Sequence, residues 1–165
     1  MSISVEMALK VLPYFTNAVL KRQVYSYGYF ATCIGRNSST DSVALGPVFH
    51  AIGAACVVNQ VPVAPLYFVE REDGEERNIF ESDGMECLNV LPHYDLLYVS
   101  AREYIYQPVE FERITSWLSR PSVSKLTPHD IWHRAIKWKP NNSEKTYFES
   151  ALDKYRSFIE ENKNR

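Results

Sequence analysis

The feature that most constrains this chain is the run from Val43 to Cys56, where Val43, Leu45, Val48, Phe49, Ile52, Ala55 and Cys56 leave almost no room for charge. Apolar residues at this spacing predict a helix, and a helix so apolar must be buried or covered by a partner. Thr40 or Asp41 is placed to cap it, and Pro47 falls in its first turns, where a missing N–H costs little.

Two helices are expected ahead of it. Within residues 4–22, Val5, Leu9, Leu12, Phe15 and Val19 mark one helix face. Pro13 either kinks that helix or opens a fresh one, and Lys21 and Arg22 suit its C-terminal end. The next starts at Ser26, a good N-cap, runs through Tyr29, Phe30 and Cys33, and stops at Gly35, which tolerates the left-handed conformation. Two short helices after a longer one give helix-turn-helix order. Residues 65–69 then read as a strand, 70–76 as an acidic turn around Asp73-Gly74, and 77–80 as the returning strand, a hairpin in the position of a wing. Residues 82–107 fix no single period, with 96–99 as a candidate strand. The end of the chain reads as helical: one helix begins near Pro108 and buries Phe111, Ile114 and Leu118. Another begins at Thr127, with Asp130 three residues on in capping-box spacing, and the last turns Phe148, Leu152, Tyr155 and Ile159 inward. The expected fold class is α+β: a winged-helix-like core of three helices and a β-hairpin over residues 1–82, with a mixed, mainly helical extension over 83–165 packed on it.

With 45% apolar and 23% charged residues, the chain has enough apolar side chains to offset its ordering entropy. The net charge of −2 excludes a strong overall positive field, so any nucleic-acid contact must be local. Cys33, Cys56 and Cys87 are odd in number and lack a CxxC spacing, as suits free thiols in a reducing compartment. With no export signal and no apolar run of membrane length, a cytoplasmic protein without membrane contact is expected.

The run Val24-Tyr25-Ser26-Tyr27-Gly28-Tyr29-Phe30-Ala31-Thr32-Cys33-Ile34-Gly35 resembles the helix opening of the DNA-binding domain in alkylguanine-DNA alkyltransferases and alkyltransferase-like proteins. Ala44-Leu45-Gly46 stands where that family has a small residue, an aliphatic residue and Gly at the front of its recognition helix. The resemblance covers residues 20–80 and implies a winged-helix nucleic-acid binder. Two departures matter. The family's reactive Pro-Cys-His-Arg motif is here Pro65-Leu66-Tyr67-Phe68, with neither thiol nor histidine, so alkyl transfer is not expected. Its base-displacing arginine is here Val43, which puts base flipping in doubt.

What the resemblance leaves as nucleic-acid-binding residues is Ser26 and Tyr27, whose hydroxyls would meet a phosphate at the start of the second helix, with Lys21, Arg22 and Arg36 nearby. Direct base reading by the third helix looks poor, because His50 is its one strongly polar side chain. The acidic wing repels phosphates. The first expectation is therefore a non-enzymatic nucleic-acid-binding or regulatory module for DNA or RNA, with no catalytic residues, cofactor or metal. The alternative is a protein-interaction module that kept the fold and lost the DNA face. A third reading is a metal-dependent hydrolase or nuclease on His129 and His133, which at i and i+4 share a helix face but lack an evident third ligand; His93, Asp83, Glu86 and Asp95 are the other candidates.

Overall fold

The apolar run does form a helix, and burial rather than exposure is its fate. A computed structural model describes residues 1–37, 45–70, 90–140 and 143–163. Helix α3 (Leu45–Val58) is buried around nearly its whole circumference, from Leu45 through Val57. It packs against α1 (Ile3–Leu20), α4 (Pro65–Phe68), α6 (Pro108–Ser119), α8 (Pro128–Lys137) and α9 (Tyr147–Lys163). Between these lie α2 (Tyr27–Cys33), a 3₁₀ turn (Leu91–His93), α5 (Tyr94–Glu103) and α7 (Pro121–Ser124). One core cluster runs from Val5 to Tyr155, so helices from both halves of the chain share it. No described helix is long and apolar enough to cross a membrane.

This overturns the α+β expectation. Among the described residues there are nine α-helices and only two two-residue strands, β1 (Tyr25–Ser26) and β2 (Val69–Glu70), paired in parallel with Tyr25 opposite Val69 and Ser26 opposite Glu70. A winged-helix core needs an antiparallel hairpin, and its first arm is instead helical: Pro65 occupies the first turn of α4, where a fixed φ and a missing N–H favour helix. The second arm, residues 77–80, lies outside the described residues, as do Thr40, Asp41 and Val43. The candidate strand 96–99 is also helical, within α5, with Leu97, Ser100 and Ala101 buried at helical spacing.

Helix α1 is continuous through Pro13. Its end, and those of α2 and α3, share one device. Arg22 (φ 56°), Gly35 (φ 78°) and Gln60 (φ 58°) each adopt the left-handed conformation just past the helix. The following N–H bonds reach back: Gln23 N to Ala18 O at 2.9 Å, Arg36 N to Ala31 O at 2.9 Å, and Val61 N to Cys56 O at 3.0 Å. These are Schellman closures, which satisfy otherwise orphaned carbonyls. They set where Arg22, Arg36 and the 59–64 connection point.

The centre of the N-terminal packing is aromatic. Phe15 of α1 meets Phe30 of α2, Phe49 of α3 and Phe111 of α6 edge-on, at ring separations of 5.8, 5.4 and 6.3 Å. Such edge-to-face pairs add to the gain from burial.

Candidate nucleic-acid interface

The residues nominated at the front of α2 do not assemble into an outward-facing phosphate site. Ser26 is indeed the N-cap of α2, and its Oγ accepts a hydrogen bond from Tyr29 N at 3.1 Å. That use occupies the hydroxyl with the helix itself. Tyr27 is only 2% exposed and lies edge-on to Phe49 at 5.4 Å, so its hydroxyl points into the core rather than at a phosphate. The rings that do reach the surface here are Tyr25 and Tyr29, stacked on each other at 3.9 Å.

Arg22 is committed as well. Its guanidinium donates to the carbonyl of Tyr104 at 2.9 Å and to that of Arg102, and lies 5.5 Å from the Phe68 ring centre. It thereby ties the end of α1 to the end of α5 and to α4, satisfying carbonyls that a helix terminus leaves open. Lys21 and Arg36 remain as exposed charges. Arg22→Ala is expected to lower stability by about 1 kcal/mol, since hydrogen bonds from a charged donor count for more than neutral ones but this pair is surface-exposed. Lys21→Ala should stay within about 0.5 kcal/mol. Chemical denaturation of the two variants side by side measures the difference.

Farther along the sequence the charge is biased. Residues 120–142 hold five of the chain's 18 basic side chains, Arg120, Lys125, Arg134, Lys137 and Lys139, and one of its 20 acids, Asp130. Thr127 caps α8 by accepting from Asp130 N at 3.2 Å, and Ile131, Trp132 and Ala135 turn into the core. That phase sends His129, His133 and Lys137 outward along one row, with Asp130 and Arg134 beside it. The imidazoles of His129 and His133 lie 4.8 Å apart. Desolvation first, then the charges of Lys137 and His129, lower the His133 pKa below the ordinary imidazole value, against an opposing pull from Asp130. Among the described residues no third His, Cys, Asp or Glu joins this pair into a metal-binding group. His93 instead packs edge-on to Phe148 at 5.6 Å, and Asp83 and Glu86 lie outside the described residues.

At the end of α8 the chain leaves the helix at Trp138 in an extended conformation. Trp138 N donates to Arg134 O and Trp138 O accepts from Tyr147 N, each at 3.0 Å, so its backbone is held on both sides. The Arg134 guanidinium lies over the indole, 4.1 Å from its centre, and the residue is still 51% exposed. A cation stacked on an indole is favourable and orients the ring. Composition over the whole chain hid this surface. A windowed count of charge would have shown it.

The interior polar groups are of a different kind. Tyr106 and Tyr155 donate to the carbonyls of Pro62 and Val61 and pin the 59–64 connection. Burial raises both phenols well above their ordinary range and pushes the Cys56 thiol up to about 12. None of the three offers an anionic nucleophile at neutral pH. Elsewhere, an apolar groove of about 530 Å³ lies between α1 and α6, lined by Leu9, Leu12, Pro13 and Phe111 with Glu112 at its side. No protein-family model, curated protein or solved structure matches this chain.

Proposed function

We propose that this protein is a non-enzymatic nucleic-acid-binding module whose contact surface is the outward face of α8 and its flanks. The observation that carries this reading is the basic bias of the sequence around α8, with exposed Lys137 on the His129–His133 row and exposed Lys139 just past the helix, in a chain that is otherwise acidic. Lys and Arg that neutralise phosphates release counterions, and a local cluster does so even where the net charge is −2. Binding rather than chemistry accords with the interior, where the buried thiol and phenols stay neutral.

The test is a salt series. Wild-type protein should bind oligonucleotides at low salt with an affinity that falls linearly on a log–log plot. Reversing Lys137 and Lys139 to Glu should weaken binding across all sequences and flatten the slope by about one unit for each phosphate no longer neutralised. The same reversal at Lys21 and Arg36 should leave the slope unchanged; the opposite pattern moves the interface to the front of α2. Absence of binding at low salt sinks the reading. A protein-partner reading has its own observation, the apolar groove between α1 and α6, and it takes precedence in that case.

A further inference from the structure

We infer that the ligand of the α8 face is single-stranded, with an unpaired base stacked on Trp138 while its flanking phosphates lie on Lys137 and Lys139. This rests on the reading of α8 as a nucleic-acid surface and goes beyond it by naming the substrate class. Charge alone does not distinguish a duplex from a single strand, because both present phosphates. An exposed indole does: every unpaired base offers a π face to it, whereas bases inside a duplex are already stacked on one another.

Three features make Trp138 a platform rather than an incidental surface aromatic. Its backbone is fixed through Arg134 O and Tyr147 N, so the ring does not wander on a flexible tail. The Arg134 guanidinium holds one side of the indole at 4.1 Å, which sets the ring's orientation and places a positive charge at the stack. Trp138 stays 51% exposed despite the Arg134 contact, and Lys137 and Lys139, both exposed, precede and follow it directly in the chain. A ring so held has little freedom to lose on binding, which favours affinity. Lysines immediately before and after the indole in the chain match a strand in which phosphates alternate with bases. They match an acidic peptide less well, since that would use the charges and leave the indole idle.

Fluorescence reads this event directly. Of the chain's three tryptophans, Trp117 and Trp132 are buried and Trp138 alone is exposed, so stacking should quench Trp138 selectively. The full-length protein is titrated at low salt with oligo(dT), oligo(U) and a duplex of equal length, alongside Trp138→Leu, Trp138→Phe and the Lys137→Glu/Lys139→Glu variant. Quenching by either single strand, tighter binding of it than of the duplex, a loss of roughly five- to a hundred-fold in Trp138→Leu, and recovery of most affinity in Trp138→Phe support the inference. Equal affinity for the duplex, or unchanged single-strand affinity in Trp138→Leu while the charge reversal still weakens binding, overturns the stacking inference and leaves the electrostatic reading standing. Binding of none of the three polymers overturns both.

Discussion

Phe15→Ala is expected to destabilise the protein by about 3–5 kcal/mol, a large share of the roughly 5–15 kcal/mol that holds a domain folded. The side chain is fully buried and touches aromatic rings from three other helices, Phe30, Phe49 and Phe111. Truncation therefore removes transfer free energy, leaves a cavity between rigid rings that relax poorly, and abolishes three edge-to-face ring pairs at once. The neighbouring residue supplies the control. Tyr14, about 100° round α1 from Phe15, is 45% exposed, and Tyr14→Ala should stay within about 0.5 kcal/mol. Urea titration of both variants decides the matter, and comparable losses would mean that the buried face of α1 is not the one described.

That contrast between adjacent residues is legible in the sequence, because helical period is written there. Val5, Leu12, Phe15 and Val19 are buried along one stripe of α1, and Phe111, Ile114 and Leu118 along α6. The caps at Ser26 and Thr127 are equally legible, since a side-chain oxygen at that position has a specific donor to satisfy. Short elements are not. Residues 65–69 are five apolar side chains in a row, a pattern that period cannot divide between strand and helix, and the decision falls to Pro65 in the first turn of α4. Nor does any residue type announce Arg22 or Gln60 as left-handed closures, because non-glycine residues adopt that conformation only where the surrounding hydrogen bonds hold them there.

The chemistry of the residues at the front of α2 is legible in the sequence, but the partners that packing gives them are not. A hydroxyl at Tyr27 and a guanidinium at Arg22 are sound phosphate ligands in isolation. Tertiary packing assigns one to the aromatic core and the other to the carbonyls of Arg102 and Tyr104. Two signals for α8 are present, the His129–His133 spacing and the cluster of basic residues after Arg120. They describe one surface only once the burial of Ile131, Trp132 and Ala135 fixes the helix phase. Trp138 carries no periodic signal because it stands just past the helix, where exposure is set by the extended chain and by Arg134.

Raising the pH should unfold the protein well before peptide chemistry intervenes, with Cys56 leading. Burial is the principal cause of its shift, aided by the negative charge of Glu110, and the thiol stays protonated in the folded state up to about 12 against an ordinary value of 9.0. Between those two values the unfolded chain has released this proton and the folded chain has not. The unfolded state then binds fewer protons, so stability falls with pH, by about 1.4 kcal/mol per pH unit for one group. The contribution is intact below pH 9 and is lost progressively toward pH 12, where Cys56 alone accounts for about 4 kcal/mol. Tyr106 and Tyr155, also raised chiefly by burial, add to the slope once the pH passes their ordinary value of 10.0. Urea midpoints measured from pH 7 to 10.5 should therefore be flat at first, bend downward near 9 and steepen above 10. In Cys56→Ala, which carries the small and pH-independent cost of the cavity it opens, the first bend should vanish while the second remains. A wild-type curve that stays level through pH 10.5, or a Cys56→Ala curve parallel to it throughout, would show that this thiol is not sealed in the core of α3.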